Sequence, residues 1–206
     1  MTGAGRAGSS GSALRVAAVD LGATSGRIMA GTVSVRSLHL EEVHRFPNGG
    51  VRVRDGLFWD VLGIHREVLT GIRRVAETGP LHGIGIDSWA IDYGLLDRDG
   101  TLLGNPYSHR DARTDGVAAK VAATVDPARL YATTGLQDLP FSTLYQLVAA
   151  QGTAALESAE HLLLLPDLLA YWLTGTIGVE RTNASTTALY DLTTGDWARD
   201  LMGDLG

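Results

Sequence analysis

Asp20-Leu-Gly-Ala-Thr-Ser-Gly26-Arg27 lies between two runs of strand-forming residues, and the architecture follows from how that junction is read. The run before it, Leu14-Arg-Val-Ala-Ala-Val19, stops at Asp20-Leu-Gly22. A second apolar run, Arg27 to Val35, follows so soon that a crossover helix has no room, so an antiparallel hairpin is expected. Gly22 and Gly26 permit backbone angles that other residues resist, which lets such a turn aim N–H groups at an anion. Thr24 and Ser25 add hydroxyl donors and Arg27 a fixed positive charge. Asp20, at the strand end, suits a magnesium ion held through its water. The residues alone leave a plainer reading open, a Gly-rich turn whose Ser and Thr satisfy their own backbone and whose Arg27 pairs with a surface carboxylate. Neither a lysine-bearing phosphate loop nor a dinucleotide fingerprint is present; Gly83-Ile-Gly85 has no third glycine at the required spacing.

Beyond the hairpin, Leu38 to Phe46 alternates well enough for a third strand, and Pro47-Asn48-Gly49-Gly50 is a turn cluster. Asp60 looks like a helix N-cap, with Val61, Ile64, Val68 and Ile72 at helical spacing behind it as far as Gly79-Pro80. His82 to Asp87 and Tyr93 to Leu96 read as short strands, the latter followed by an Asp97-Arg-Asp-Gly100 turn. Helices are expected over Ala112 to Val125, Pro127 to Thr133, Leu144 to Gln151 and Pro166 to Leu173, the last stopping at Thr174-Gly175. Asp196-Trp197 opens a helix-like stretch that reaches Gly206 with nothing to pack on. Three antiparallel strands, a helix, a buried strand and further helices imply an α/β layer on a mixed sheet.

The 206 residues suffice for a full core. A net charge of −6 without any basic block argues against nucleic-acid binding. There is no cysteine, which excludes disulfides and thiolate metal sites and suits a reducing cytoplasm. No apolar run, Leu162 to Leu165 included, approaches the length that spans a bilayer. Met1 to Ala13, Gly/Ser-rich and without the apolar stretch of a secretory signal, is expected to be a disordered leader.

The hairpin sequence resembles the phosphate-binding loop of the actin-like ATPase superfamily, and within it that of the carbohydrate kinases that include glycerol kinase, xylulokinase and rhamnulokinase. Further segments follow in matching order. Gly83-Ile-Gly-Ile-Asp87-Ser-Trp89-Ala90-Ile-Asp92 resembles the sugar-site strand of the rhamnulokinases. Tyr107-Ser-His109-Arg110-Asp111-Ala-Arg113-Thr114 is similar to an Arg/Asp-rich segment of the family. Leu-Pro140-Phe141-Ser-Thr-Leu-Tyr145-Gln146 again points to rhamnulokinases. Leu165-Pro166-Asp167 through Gly175, and Thr182-Asn183-Ala184-Ser185, match a pattern shared across the family.

The resemblance implies a ribonuclease-H-like (actin-like ATPase) domain over 14–206, the first of two, with ATP and a sugar bound between them. It implies phosphoryl transfer from ATP, with Mg2+, to L-rhamnulose. Another ketose or polyol, or a non-catalytic sugar- or nucleotide-binding module, remains the alternative. Ala23, Thr24, Ser25, Gly26 and Arg27 would bind nucleotide phosphates, and Asp20 the hydrated metal. Asp87, Trp89, Ala90, Arg110 and Asp111 would serve the sugar. Core packing competes for Trp89, an exposed ion-pair network for the Arg110 cluster, and Asp92 shares the ambiguity of Asp87. Ala90 stands where rhamnulokinases commonly have Gly. Asn183 is expected to brace a loop through its amide. The catalytic base is expected beyond Gly206, leaving the chain inactive by itself.

Overall fold

The computed structural model describes residues 13–206; apart from Ala13, the expected leader lies outside the described residues. β1 (Leu14–Leu21), β2 (Ser25–Val33) and β3 (Leu38–Pro47) form an antiparallel meander. A small hairpin follows, β4 (Gly50–Val53) against β5 (Gly56–Trp59). The 17-residue α1 (Val61–Glu77) then crosses over to β6 (Gly83–Ser88), which pairs parallel to β1. The sheet order is β3-β2-β1-β6. The mixed sheet expected from the sequence is present, and its single parallel pair is the one that contains a helix-length connection.

Alternate residues of β1 point inward, so Ala17, Val19 and Leu21 are almost fully buried. They meet Ile64, Val68 and Val75 of α1, the periodic face seen in the sequence. Asp60 caps that helix as expected, its Oδ1 accepting the Gly63 N–H at 2.9 Å. Gly26 sits in β2 under the ring of Phe46: a Cβ there would lie 2.2 Å from Phe46 Cζ. We therefore expect Gly26→Ala to destabilise by about 1–3 kcal/mol through overpacking. Urea unfolding reads this, and an unchanged midpoint would show the ring free to swing aside.

The rest of the chain forms a helical layer around a second strand pair. β7 (Tyr93–Leu96) runs antiparallel to β8 (His161–Leu164). Between and after them come α2 (Val117–Ala122), α3 (Pro127–Thr134), α4 (Thr143–Ala150), α5 (Ala154–Glu157), α6 (Leu165–Thr174) and α7 (Arg181–Ala184). The two-residue strands β9 (Tyr190–Asp191) and β10 (Asp196–Trp197) lead into α8 (Arg199–Leu205).

Three expectations need correction. The helix expected over Ala112 to Val125 is broken, because Asp111 caps a 3-10 turn at Ala112–Thr114 and Gly116 takes φ 78° before α2 starts. The end of the chain does pack: Leu201 of α8 is 1% exposed and shares a cluster with Leu144 and Val148 of α4. Gln151 secures α8 further by donating to the Leu205 carbonyl at 2.6 Å. Finally, Asp196-Trp197 forms a strand, and the helix starts two residues later.

Candidate functional site

β1 continues through Leu21 and β2 begins at Ser25, so the loop proper is only Gly22-Ala23-Thr24. It is pinned from below by Asn48. The Asn48 side-chain amide donates to the Gly22 carbonyl at 2.8 Å, and its backbone N–H donates to the Thr24 carbonyl at 3.0 Å. The Gly22 N–H closes onto the Ser25 carbonyl at 2.9 Å. Two loop carbonyls are thus consumed, while the N–H groups of Ala23 and Thr24 find no partner among the described residues. A turn with two of its three carbonyls occupied and two N–H groups free can present donors to an anion. Asn48 was expected only as a turn former. Nothing in linear spacing ties residue 48 to residue 22; register across the meander does.

Asp20 and Arg27 are cross-strand partners at the mouth of this hairpin, and both Arg27 Nε and Nη2 reach Asp20 Oδ2 at 2.6 Å. The pair is exposed. Asp20 is also the parallel partner of Asp87, and Leu21 of Ser88. Register partners on neighbouring strands share a sheet face, so the hairpin mouth and the segment that opens with Asp87 stand side by side at one sheet end.

Beyond Ser88 the chain turns sharply. Ile91, a β-branched residue, is held at φ 71°, a conformation such side chains resist. Thr143 Oγ1 and Gln146 Nε2, both from α4, donate to the Ile91 carbonyl at 2.7 and 3.3 Å and hold the turn in place. The turn drives Asp92 fully inside, at 0% exposure. Its Oδ2 accepts from Trp59 Nε1 (2.7 Å), Trp89 Nε1 (2.9 Å) and His109 Nδ1 (2.8 Å). Its Oδ1 accepts from Gln146 Nε2 at 3.0 Å. Four donors on one buried carboxylate satisfy its charge without a cation. Trp89 stacks on Trp59 with ring centroids 4.2 Å apart, so both of its sequence readings meet in one place: the ring is half-buried against the core and its N–H serves the hub.

The Arg110 cluster is not an ion-pair network. Arg110 is exposed, and among the described residues no salt bridge joins it to Asp111. Asp111 is buried and occupied with backbone, accepting from the N–H groups of Leu57 at 2.6 Å and Arg113 at 2.8 Å. Arg113 lies over the Tyr107 ring at 4.0 Å and donates to Gln146 at 2.7 Å, which ties it to the hub. Trp59 carries no signal in the sequence, and Gln146 carries only its place in a motif; no spacing links either to Asp92.

On the other side of β6 a hollow of about 560 Å³ is lined by Asp87, Ser88 and Ala90 together with Asp167, Asn183 and Thr186. Asn183 does not brace a loop with its amide: among the described residues Nδ2 is buried without a partner, as are Ser88 Oγ and Asp167 Oδ2. It is the Asn183 backbone that is held, by Glu180 and Thr186. Burial pushes the Asp167 carboxyl from its ordinary 3.8 up to about 6, with the nearby Glu180 charge adding to the rise against one hydrogen bond from the Glu180 N–H. A raised carboxyl pKa means that the folded state binds the extra proton, so this group's contribution declines as pH climbs from about 4 to about 6. Asp167→Asn should therefore gain in Tm over the unsubstituted chain across that window. A thermal melt difference that stays flat with pH would contradict the assignment.

Among the described residues no group of three or more His, Asp or Glu side chains could enclose a metal ion. Among the described residues Asp20 Oδ1 and the carboxylate of Asp87 have no hydrogen-bond partner, and such a pair suits a cation that keeps most of its water rather than one caged by protein. No described helix is long and apolar enough to cross a membrane.

Comparison with known proteins gives one answer. The sequence profile of the FGGY family of carbohydrate kinases, N-terminal domain, matches residues 16–206. The chain is 45% identical over 196 residues to a rhamnulokinase of Pectobacterium carotovorum, covering 93% of this chain and 40% of that protein. It is 43% identical over 198 residues to a rhamnulokinase of Mannheimia succiniciproducens, covering 94% and 41%. The chain thus spans about 40% of the length of these curated relatives. Among solved structures, gluconate kinase from Lactobacillus acidophilus superposes with a TM-score of 0.83 at 18% identity, covering 94% of this chain and 40% of that one. Xylulose kinase from Rhodospirillum rubrum gives 0.81 at 20% identity, covering 93% and 41%. At these identities the superpositions establish the fold alone, the actin-like ATPase fold of sugar kinases.

Proposed function

The chain belongs to the FGGY family of carbohydrate kinases, as its N-terminal domain, and from that premise we propose that it supplies one wall of an ATP-dependent kinase for L-rhamnulose. The second domain and the catalytic base come, on this reading, from the part of the relatives that the chain does not span. The product is L-rhamnulose 1-phosphate. A cytoplasmic setting belongs to the same reading.

The observation that carries it is the parallel register of Asp20 with Asp87, which sets the hairpin mouth beside the start of the segment that leads into Trp89 and Ala90. Phosphoryl transfer needs an acceptor hydroxyl positioned against a γ-phosphate whose charge is stabilised. The free N–H groups of Ala23 and Thr24, the hydroxyls of Thr24 and Ser25, and Arg27 would bind nucleotide phosphates. Gly26 contributes by leaving room for Phe46 beneath. A bound Mg2+ would neutralise charge on the phosphate oxygens, with Asp20, and Asp87 beside it, accepting hydrogen bonds from its water. Asp87 and the backbone around Ala90 would meet sugar hydroxyls, and Trp89 would offer its ring to C–H groups. Of the charged cluster, Arg110 is exposed and, among the described residues, has no side-chain partner, so it can meet a ligand, whereas Asp111 shapes the segment that carries it.

The test is an ATP-dependent phosphorylation assay of the two-domain protein against L-rhamnulose, D-xylulose, glycerol and gluconate. Preferential turnover of L-rhamnulose is expected. Preferential turnover of another sugar would remove the substrate assignment, and binding without any turnover would point to a non-catalytic module. The chain by itself is expected to be inactive and to bind ATP–Mg2+ no better than millimolar. Turnover by the 206-residue chain alone would refute that division of labour.

A further inference from the structure

His109 lies outside the nucleotide turn, and its imidazole is anchored on the buried Asp92 carboxylate. Its Nδ1 lies 2.8 Å from Asp92 Oδ2, the oxygen that also accepts from the Trp89 indole, so the imidazole adjoins the Trp89–Ala90 shelf. Phe141 faces the ring with centroids 6.1 Å apart, and Trp59 lies behind it at 6.3 Å. The side chain is 18% exposed. Its Nε2 has no hydrogen-bond partner among the described residues and is not among the buried unpartnered atoms, so that atom faces solvent. A carboxylate can only accept, so the proton shared in the Asp92–His109 contact belongs to Nδ1. In the neutral imidazole this leaves Nε2 a lone pair.

We propose that Asp92 is a positioning residue that holds His109 in the Nδ1–H form, so that Nε2 presents a hydrogen-bond acceptor to a sugar hydroxyl at the Trp89–Ala90 shelf. The chemistry makes this a specificity element. A lone pair at Nε2 accepts from a hydroxyl but gives nothing to a carbonyl or ether oxygen in the same place, which cannot donate. Asp92 suits the task because its position is over-determined. Trp59, Trp89 and Gln146 fix the carboxylate from three directions, and the strained Ile91 turn fixes its backbone. With the carboxylate so fixed, the imidazole is anchored at Nδ1 before any ligand arrives.

The inference rests on the sugar-kinase reading for its ligand, and two measurements separate them. Long-range 1H–15N correlation spectra of the 206-residue chain report the His109 tautomer directly, with no ligand present. Nδ1–H is expected, and Asp92→Asn, which trades the ionic acceptor for a neutral amide, should weaken the preference. An Nε2–H imidazole in the unsubstituted chain would overturn the proposal whatever the protein phosphorylates. The second measurement is steady-state kinetics of the two-domain protein on its best sugar. His109→Ala is expected to raise KM for the sugar about tenfold while kcat moves less than about threefold, as for the loss of one uniform binding contact. His109→Gln, which returns an acceptor near the Nε2 position, should recover most of that loss, and Asp92→Asn should shift KM in the same direction as His109→Ala. An unmoved KM in His109→Ala, in a protein that still turns over sugar, overturns the proposal and leaves the kinase reading intact. A protein with no kinase activity on any sugar removes both.

Discussion

Asp92→Ala is expected to cost about 3–5 kcal/mol of folding stability, the range for removing one partner from a buried charged network. The carboxylate is wholly buried and accepts from two indoles, an imidazole and an amide. Truncation leaves the two indole N–H groups and the imidazole facing a cavity, whereas Gln146 Nε2 keeps the Ile91 and Phe141 carbonyls. Each buried donor without an acceptor costs about 1–3 kcal/mol, offset in part because the buried charge goes with the side chain. Set against the ~5–15 kcal/mol that stabilises a typical domain, this is the difference between a folded chain and a marginal one. Urea unfolding followed by tryptophan fluorescence is a fitting probe, since Trp59 and Trp89 both donate to the lost group. A midpoint equal to that of the unsubstituted chain would mean that water or a shifted side chain satisfies the donors, and the hub would lose its structural meaning. Asp92→Asn should be milder, because one oxygen and the shape survive.

The second large effect is expected on turnover rather than stability. Asp20→Asn breaks an exposed ion pair with Arg27, worth under about 1 kcal/mol, so the fold should tolerate it. Phosphoryl transfer by the two-domain protein should nevertheless fall about 10–100-fold, the range for losing an outer-shell partner of a bound metal. The loss should be partly restored by raising the magnesium concentration, since the carboxamide weakens the metal's hold without closing its site. Turnover within twofold of the unsubstituted protein would reduce Asp20 to a strand-end salt bridge, the plainer reading its sequence context allowed. Destabilisation of several kcal/mol would be equally damaging, because it would show the Asp20–Arg27 pair carrying structure.

Gly26 and Asp167 extend these contrasts, one through a ring that leaves no room for a methyl group, the other through a carboxyl that burial keeps protonated to a higher pH. In each case the consequence depends on what lies within a few ångströms, not on the residue's neighbours in the chain.

Local chemistry is legible in a sequence because its effects are confined to a few consecutive residues. The meander could be read from strand formers on either side of a glycine turn, α1 from a cap and a 3.6-residue period, and the parallel strand from the helix-length gap before it. The family was likewise legible, since its motifs are short and ordered along the chain. The break at Gly116 is not decided by the sequence, because the apolar period runs across it and only the left-handed backbone shows which signal prevails. The β4–β5 hairpin is hard to read for a related reason: each strand is four residues long, and the Val51-Arg52-Val53 alternation of β4 buries neither face. What no reading along the chain could supply was the set of partners. Asn48 beneath the phosphate turn, Asp92 as a shared acceptor for Trp59 and Gln146, and the burial of Leu201 against α4 all join residues far apart in sequence. A buried polar group must find its hydrogen bond somewhere, but sequence names only the need. Packing geometry chooses the partner, and that choice exists only once the chain has folded back on itself.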